Sequence, residues 1–374
     1  MDFVLSDEQQ MLKVATRDLL ADRSGPVDVR RSLDSKEPPA KLWSLGSELG
    51  WPGLALPEVH GGSGQGLVEL ALVAEELGRA AARTPFVPTV VTAAAVARGG
   101  SPALQSEVLP SLAGGTETGA WAVAQAGQPW SVDALRSSTR AEGNELVVSG
   151  RWTLVQDAGE ARWLLVTSAV GGQPAALLVD AGTAGVSVRR QQVLDLTRTF
   201  DEVQLDDVRV PEERRLQLDA TQLQRLLDDG AVLTAADALG AGERLLAMTV
   251  DYAKMRHQFG RAIGSFQSIK HKLATMRIAL QGAQATTYYA AMTADAGSPD
   301  ASRAAAVAKA YVSEAMSALA GEALQVHGGI GFTWEHELHL YLRRIKVDAV
   351  LYGDAPLHQE RLCGFLEHDR HPAS

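Results

Sequence analysis

The sequence has a single cysteine, Cys363, among 374 residues, so no disulfide can form within the chain. Such a chain fits a reducing, intracellular compartment, because disulfide frameworks belong to oxidising environments. Cys363 follows Leu362 in an apolar helical stretch, and no accompanying histidine pattern favours a nucleophile. We therefore expect Cys363 to be buried and unreactive.

A basic cluster and a long apolar run are also missing. The formal net charge is −10, which argues against a general binder of nucleic acids or anionic membranes. The longest apolar run, FVPTVVTAAAVA, is too short to span a bilayer and contains a proline. No signal peptide precedes MDFVLSDEQQ. We predict a cytoplasmic protein without a membrane span, a nucleic-acid partner or a metal site.

Three zones of different periodicity predict an α+β multidomain fold. Residues 1–118 have helical spacing that begins with a capping box of Ser6 and Gln9. Residues 119–215 form short β-branched runs, which favour an antiparallel β-domain with a bulge or turn at Asp206 and Asp207. Residues 216–374 return to long, alanine-rich amphipathic patterns, typical of a four-helix bundle.

The first candidate motif is YAKMRHQFGRAIGSFQ, which lies between two helical patterns. Arg256, Gln258 and Phe259 are predicted to end one helix, with Gly260 as its stop, and Gln267 lies at the start of the next. An arginine at such a corner suits a phosphate, because its planar fork gives two parallel charge-assisted hydrogen bonds. Spacing alone favours the alternative interpretation, a surface arginine and two core phenylalanines at a helix turn.

The second candidate motif is QVHGGIGFTWE. Gly328, Gly329 and Gly331 leave space where a backbone turns or approaches a ligand, and a helix is predicted to follow them. Gln325 and His327 are candidates to hydrogen-bond a polar ring or a phosphate. No strand pattern precedes the glycines, so this is not the dinucleotide-binding fingerprint. An interhelical loop explains the motif about as well.

In combination, the motifs strongly resemble the acyl-CoA dehydrogenase family. The resemblance rests on MRHQFGRAIGSFQSIKHKLATM and LQVHGGIGFTWEHELHLYLRRIK, and WPGLALPEVHGGSG is similar to the early loop of that family. The order of helical, β and helical zones also agrees with that family, so the resemblance covers nearly the whole chain. It implies an FAD flavoprotein, usually a dimer or tetramer, that removes hydrogens from Cα and Cβ of an acyl-CoA thioester and passes electrons to an electron-transfer flavoprotein.

The resemblance also implies contacts to the FAD of a neighbouring subunit. Arg256 is similar to the arginine that binds the FAD pyrophosphate, and Phe259 to a residue near the adenine side. Gln267 resembles a further cofactor contact at the dimer interface. The other implied contacts are Gln258, Gln325, Gly328 and Gly329.

Neither position at which the family carries its catalytic glutamate holds a carboxylate. In LYGD, aligned with an aromatic-Glu-Gly-Thr stretch, Tyr352 stands at the glutamate, and the alternative site, 26 residues before Arg256, is Gly230. A phenol titrates near pH 10, so ionising it at pH 7 costs about 4 kcal/mol. We therefore expect Tyr352 to pack or to form hydrogen bonds, and its backbone N–H could donate to the thioester oxygen.

Three aspartates are candidates for a displaced base. Asp354 follows Tyr352 at the threonine position of the family stretch, and Asp228 and Asp229 precede Gly230. Proton abstraction needs a base with a pKa near the working pH, which a carboxylate can reach more readily than a phenol.

The β-zone departs from the family as well. Ala124, Gln125 and Ala126 replace a usual Thr-Glu-Pro stretch. Leu154 stands where a flavin-stacking tryptophan is common, and Gln156 where a threonine usually meets the flavin. Trp152 would share a face with Leu154 in a regular strand, and we expect it to lie in the core. The surface for this chain's own flavin is thus degraded, whereas the surface that reaches a neighbour's flavin is intact.

This asymmetry favours a heteromeric acyl-CoA dehydrogenase, such as a heterotetramer, in which a related chain supplies the base. Bacterial members that act on bulky CoA thioesters, such as steroid side chains, are built this way. Three alternatives stay open: a homomeric dehydrogenase with a displaced carboxylate, an oxygenating flavoenzyme on the same fold, and a non-catalytic acyl-CoA-binding subunit.

Overall fold

Five helices form the N-terminal part of the structure, a computed structural model that describes residues 4–24, 40–132, 135 and 137–370. They are α1 (Asp7–Arg23), α2 (Ala40–Glu48), α3 (Leu67–Arg79), α4 (Phe86–Gly99) and α5 (Pro102–Ala113). The predicted capping box of Ser6 and Gln9 is confirmed: the Gln9 amide donates to Ser6 Oγ at 3.2 Å, and the Ser6 amide donates to Gln9 Oε1 at 3.0 Å.

Strands fill the middle of the chain. They are β1 (Gly119–Ala122), β2 (Ser138–Glu142), β3 (Glu145–Gln156), β4 (Trp163–Val170), β5 (Gln173–Asp180), β6 (Val186–Gln191), β7 (Phe200–Pro211) and β8 (Arg215–Leu216). Their order is β6-β7-β3-β2-β4-β5-β8, with β1 paired to β4. The pairs are antiparallel except β1 with β4 and β2 with β4, which are parallel. The zone is therefore mixed rather than purely antiparallel.

The predicted irregularity at Asp206 and Asp207 is confirmed as a bulge. Val148 pairs with Val208, but Gly150 pairs with Leu205, so two residues of β7 oppose one of β3. Asp207 has a φ of 48°, in the left-handed region. The bulge bends the long antiparallel pair of β3 and β7.

Two separate apolar clusters bury the faces of the sheet. Trp152 and Val203 belong to a cluster formed by residues of the strands and their connections. Trp121 and Leu165 belong to the larger cluster shared with the helices. Residues 120 and 121, adjacent on β1, fall in different clusters because side chains alternate along a strand. The second face places Trp121 against the helices.

The C-terminal part consists of three long helices and two shorter ones. They are α6 (Ala220–Met255), α7 (Gln267–Asp295), α8 (Ala301–His327), α9 (Leu338–Asp348) and α10 (Ala355–Arg370). The three long helices pack against one another, α10 packs on α8, and α3 packs on α6. A Cβ added at Gly240 would lie 1.8 Å from the Glu75 carbonyl oxygen, so glycine lets α6 approach α3. Helices and strands follow the predicted order, and the exact domain bounds of 1–118, 119–215 and 216–374 stay a prediction.

A buried charge cluster holds α9 in place. Arg344 donates to both carboxylate oxygens of Asp237, at 2.7 and 2.6 Å. Arg198 pairs with Asp348 at 2.7 Å, and the Lys309 ammonium donates to the Asp348 carbonyl. All five side chains are buried. Since α9 connects the glycine motif with Tyr352, the cluster fixes both.

The expectation that Cys363 is buried was wrong. Cys363 is exposed on α10. The buried side chains of this helix lie at Ala355 and His358, so its inward face continues through positions 361–362 and 365, and Cys363 lies beside it. Among the helices that the structure describes, none is long and apolar enough to cross a membrane.

Candidate functional site

The two positions predicted for a catalytic base meet in the structure. Gly230 lies in α6, and Tyr352 lies between α9 and α10. A Cβ added at Gly230 would lie 2.4 Å from Tyr352 Cε1 and 2.6 Å from Cδ1. The tyrosine ring therefore rests on the α6 backbone, at the place where a side chain of residue 230 would begin.

Two tryptophans complete what we call the aromatic cluster: Tyr352, Trp121 and Trp130. The ring centroid of Tyr352 lies 5.2 Å from that of Trp130 and 6.1 Å from that of Trp121. Trp121 Nε1 donates to Thr167 Oγ1 at 2.8 Å, which ties the cluster to the sheet. Burial raises the pKa of the Tyr352 phenol above its ordinary value. Tyr352 is thus less suited to act as a base than a phenol in water.

The backbone of Tyr352 is held in an unusual conformation. Its φ is 56°, a left-handed value that is rare for a bulky residue. His358 Nε2 donates to the Tyr352 carbonyl at 3.0 Å, and Arg361 donates to His358 Nδ1 at 3.3 Å. Burial lowers the pKa of His358 to about 4, so the ring is neutral at pH 7 with its proton on Nε2. Gly353 follows with a φ of 103°, and its Cβ would lie 2.8 Å from His358 Nε2.

The two candidate bases on α6 are engaged in ion pairs. Asp228 pairs with Arg361 at 2.8 Å. Asp229 pairs with Arg98 of α4 at 2.7 Å. Burial raises the pKa of Asp229, and Arg98 opposes that shift. The structure brings both carboxylates close to Gly230 in sequence but holds each against a cation.

Asp354 has a structural role at the start of α10. Its side chain is exposed, and its Oδ1 accepts the Leu357 amide at 3.1 Å. This is the hydrogen bond of a helix cap. The carboxylate lies two residues from Tyr352 but points to the first turn of α10.

Trp152 and Leu154 do not share a face, because β3 is not a regular strand there. Trp152 pairs with Val203, whereas Val155 pairs with Asp201, and Leu154 has a φ of 53°. This bulge sends Trp152 into the strand cluster, where it is fully buried as expected, and packs Leu154 against the helical cluster. Leu154 therefore faces the helices in place of an aromatic ring.

The polar residues near this bulge bond within the β-zone. Gln156 Nε2 donates to Asp157 Oδ2 at 3.1 Å, and burial raises the pKa of Asp157 to about 6. Gln125 Nε2 donates to the Arg151 carbonyl at 3.4 Å. The Thr153 amide donates to the Ala124 carbonyl at 2.9 Å. The amide groups of Gln156 and Gln125 are thus already engaged in the structure.

The first motif forms a short hairpin rather than the end of a helix. Helix α6 ends at Met255, five residues before Gly260, and β9 (His257–Gln258) pairs with β10 (Arg261–Ala262). Phe259 and Gly260 have φ values of 53° and 77°, the pattern of a tight hairpin turn. Phe259 is 91% exposed. Its ring contacts Phe266 edge to face, with a centroid separation of 6.1 Å.

The second motif ends a helix rather than starting one. Helix α8 runs to His327, and a 3₁₀ turn, Gly328–Phe332, follows. His327, a candidate ligand contact, is buried, and its ring stacks on Tyr252 with a centroid separation of 4.6 Å. Because Tyr252 precedes Arg256 by one helical turn, this stacking brings the two motifs together.

The seven predicted cofactor contacts are all exposed, and we call them the outer edge. They are Arg256, Gln258, Phe259, Gln267, Gln325, Gly328 and Gly329. Within the described ranges, no carboxylate pairs with Arg256. A Cβ at Gly328 or Gly329 would meet nothing within 4 Å in this chain. A guanidinium that no carboxylate engages can donate two parallel hydrogen bonds to a phosphate group.

A cavity of about 690 Å³ lies between α3, α4, α6, α7 and α8. Its apolar lining includes Val90, Val91 and Leu233, and the ion pair of Arg98 and Asp229 lies beside them.

Sequence reasoning missed Arg98, His358 and the two tryptophans of the aromatic cluster. The only available signal was the scarcity of aromatic residues, 5% of the chain.

Comparisons with known proteins agree over nearly the whole chain. Residues 6–116 match the N-terminal domain of acyl-CoA dehydrogenases, and residues 220–362 match the C-terminal domain. The acyl-CoA dehydrogenase IpdE2 of Mycobacterium tuberculosis is 33% identical, with 92% of this chain and 93% of that protein covered.

Solved structures show the same fold. Butyryl-CoA dehydrogenase from Megasphaera elsdenii superposes with a TM-score of 0.91 and 26% identity, covering 98% of this chain and 100% of the other. A variant of the Tcur3481-Tcur3483 steroid ACAD superposes with a TM-score of 0.90 and 29% identity, covering 97% of this chain and 99% of the other.

Proposed function

Since this chain belongs to the acyl-CoA dehydrogenase family, we propose that it is the subunit of a heteromer that completes a partner's FAD site and lacks a base of its own. The family consists of oxidoreductases that act on the CH–CH group and use FAD, so the predictions of family, fold class, enzyme class and cofactor are confirmed. One observation carries the proposal: both base positions lack a carboxylate, and the ring at one occupies the space of the other.

The outer edge is the part of this chain that we assign to the cofactor. Arg256 would hold the pyrophosphate through two parallel hydrogen bonds, and Gln325 and the backbone at Gly328 and Gly329 would contact the same cofactor. FAD would supply the acceptor for the hydride from Cβ of the acyl group, and a carboxylate of the partner would supply the base for the proton of Cα. Gln258, Phe259 and Gln267 complete the surface that meets the partner.

The substrate we propose is a bulky CoA thioester, such as one with a steroid side chain, and the electron acceptor is an electron-transfer flavoprotein. The likeness to a steroid ACAD whose name joins two designations supports the substrate class and an assembly of two kinds of chain, for which we propose a heterotetramer. We place the enzyme in the cytoplasm.

An anaerobic titration of the purified chain with acyl-CoAs tests the missing base. The flavin absorption band is followed while butyryl-CoA, octanoyl-CoA and a steroid-CoA are added. We expect little bound FAD, or FAD that no thioester reduces. Stoichiometric FAD bleached by a thioester would instead indicate a homomer with a displaced base, and loss of bleaching in Asp229→Asn, with Asp354→Asn as its control, would identify it. Rapid reoxidation with substrate oxygenation would point to an oxygenating enzyme.

Isolation of the tagged chain from its native cells tests the cofactor role. We expect a related acyl-CoA dehydrogenase chain and FAD to co-purify. Arg256→Ala should weaken FAD retention roughly 10- to 100-fold, because a charge-assisted bond is worth about 1.5–3 kcal/mol. FAD retention by Arg256→Lys should lie between that of the wild type and that of Arg256→Ala, since lysine keeps the charge but not the planar guanidinium that forms two parallel hydrogen bonds. A complex devoid of flavin would favour a non-catalytic acyl-CoA-binding subunit.

A further inference from the structure

We propose that the aromatic cluster closes this chain's own thioester site and excludes CoA thioesters from it. The inference deepens the proposed function and rests on it only for where a thioester would lie. Tyr352 is then more than a residue without a carboxylate: together with Trp121 and Trp130 it determines which subunit of the assembly accepts substrate.

The position of the excluded group follows from the convergence of the two base positions. A base must come within hydrogen-bond reach of the proton it removes. Two alternative bases can serve one reaction only if both reach the same carbon, which then lies next to residues 230 and 352. In this chain that space holds the Tyr352 ring, whose Cε1 is 2.4 Å from where a Cβ of residue 230 would be.

The ring is fixed from three directions. The α6 backbone at Gly230 supports one face. Trp130 and Trp121 approach from the β-zone, with centroid separations of 5.2 and 6.1 Å. On the third side, His358 holds the Tyr352 carbonyl at 3.0 Å, which maintains the left-handed backbone that aims the ring at α6. Helix, sheet and turn therefore all contribute contacts to the ring or to its backbone.

The contact also couples the two base positions. Any side chain at residue 230 would overlap the ring, so a glutamate introduced there cannot be accommodated while Tyr352 is present. Tyr352→Glu, in contrast, removes the ring and places a carboxylate in the vacated space. The structure thus predicts that the site opens through position 352 and not through position 230.

The test is a binding measurement by calorimetry on the full-length chain, with butyryl-CoA, octanoyl-CoA and palmitoyl-CoA as probes. Tyr352→Gly removes the ring, and glycine tolerates the left-handed backbone. Tyr352→Phe is the matched control that keeps the ring. Trp130→Ala opens the cluster from the β-zone without changing the turn, and near-UV circular dichroism checks that each variant folds.

We expect wild type and Tyr352→Phe to bind the probes at least tenfold more weakly than Tyr352→Gly, with Trp130→Ala in between. Wild-type affinity within threefold of Tyr352→Gly for every probe would overturn the proposal. Failure of both opened variants to bind any probe would also overturn it, since something other than the cluster would then exclude the thioester. Retention of FAD in the complex tests Arg256 separately, so either idea can fail without the other.

Discussion

The aromatic cluster around Tyr352 and the outer edge around Arg256 differ in how much of their surface is exposed. In the aromatic cluster, the Tyr352 ring is buried against a glycine and packs on two tryptophans. At the outer edge, the arginine, the glycines and a phenylalanine that is 91% exposed leave their surfaces open. The first region is packed within this chain, whereas the second is the surface that we propose another molecule covers.

Under the proposed function, the contrast means that one chain has lost a reaction centre while it keeps the surface that serves a neighbour's. Helix α9 lies between the glycine motif and the tyrosine turn along the chain, and Arg344 anchors it to α6.

The largest expected loss of stability comes from removing the ion pair that anchors α9. Arg344→Met keeps the alkyl packing but leaves Asp237 buried without its bidentate partner. We expect the free energy of unfolding to fall by about 3–5 kcal/mol. Urea denaturation measures the loss, with Lys346→Met, exposed on the same helix, as the control. A loss below about 1 kcal/mol would mean that α9 does not depend on this pair.

The second largest effect is expected from acid, which should lower the free energy of unfolding through His358, the residue that holds the Tyr352 carbonyl. Folding lowers the pKa of His358 from 6.5 to about 4. Between these values the unfolded histidine binds a proton that the folded one does not, so the free energy of unfolding falls as the pH falls, by about 3 kcal/mol in total. His358→Gln can still donate to the Tyr352 carbonyl but cannot titrate, so its stability should depend less on pH between 7 and 4.5. Exposed His271→Gln serves as the control, and an unchanged slope in His358→Gln would contradict the assignment.

A smaller loss of stability is expected from a direct test of the contact between Gly230 and the Tyr352 ring. Gly230→Ala drives a methyl group into the Tyr352 ring and should destabilise the chain by about 1–3 kcal/mol. In the Gly230→Ala/Tyr352→Ala double variant the clash is gone, so the two changes should be strongly non-additive. Additive losses in thermal unfolding would show that the ring does not rest on α6.

The smallest effect on stability is expected at the outer edge. Gly329→Ala adds a methyl group that meets nothing within 4 Å of this chain, so the free energy of unfolding should change by less than about 0.5 kcal/mol. The same variant should retain less FAD in the complex with the partner chain, because the methyl group enters the open space assigned to the cofactor. Unaltered flavin content would place the cofactor elsewhere.

Local signals in the sequence predicted much of the architecture. The capping box at Ser6, the bulge at Asp206 and Asp207 and the burial of Trp152 depend on residue type and spacing, and the structure has all three. Predictions failed where neighbours in space decide. The stretch around Cys363 is locally apolar, but only the packing of α10 determines which face is buried. The end of α6 was placed too late because a hairpin, not Gly260, stops the helix.

The sequence by itself determined the family and the absence of a carboxylate at Gly230 and Tyr352, because motifs and residue types are read directly from the chain. Only the tertiary structure decided that these two residues touch and that Trp121 and Trp130 join them. The four residues come from α6, the turn before α10, β1 and the loop that follows β1. No periodicity or spacing relates such distant segments, since their contact arises from the packing of helices against the sheet.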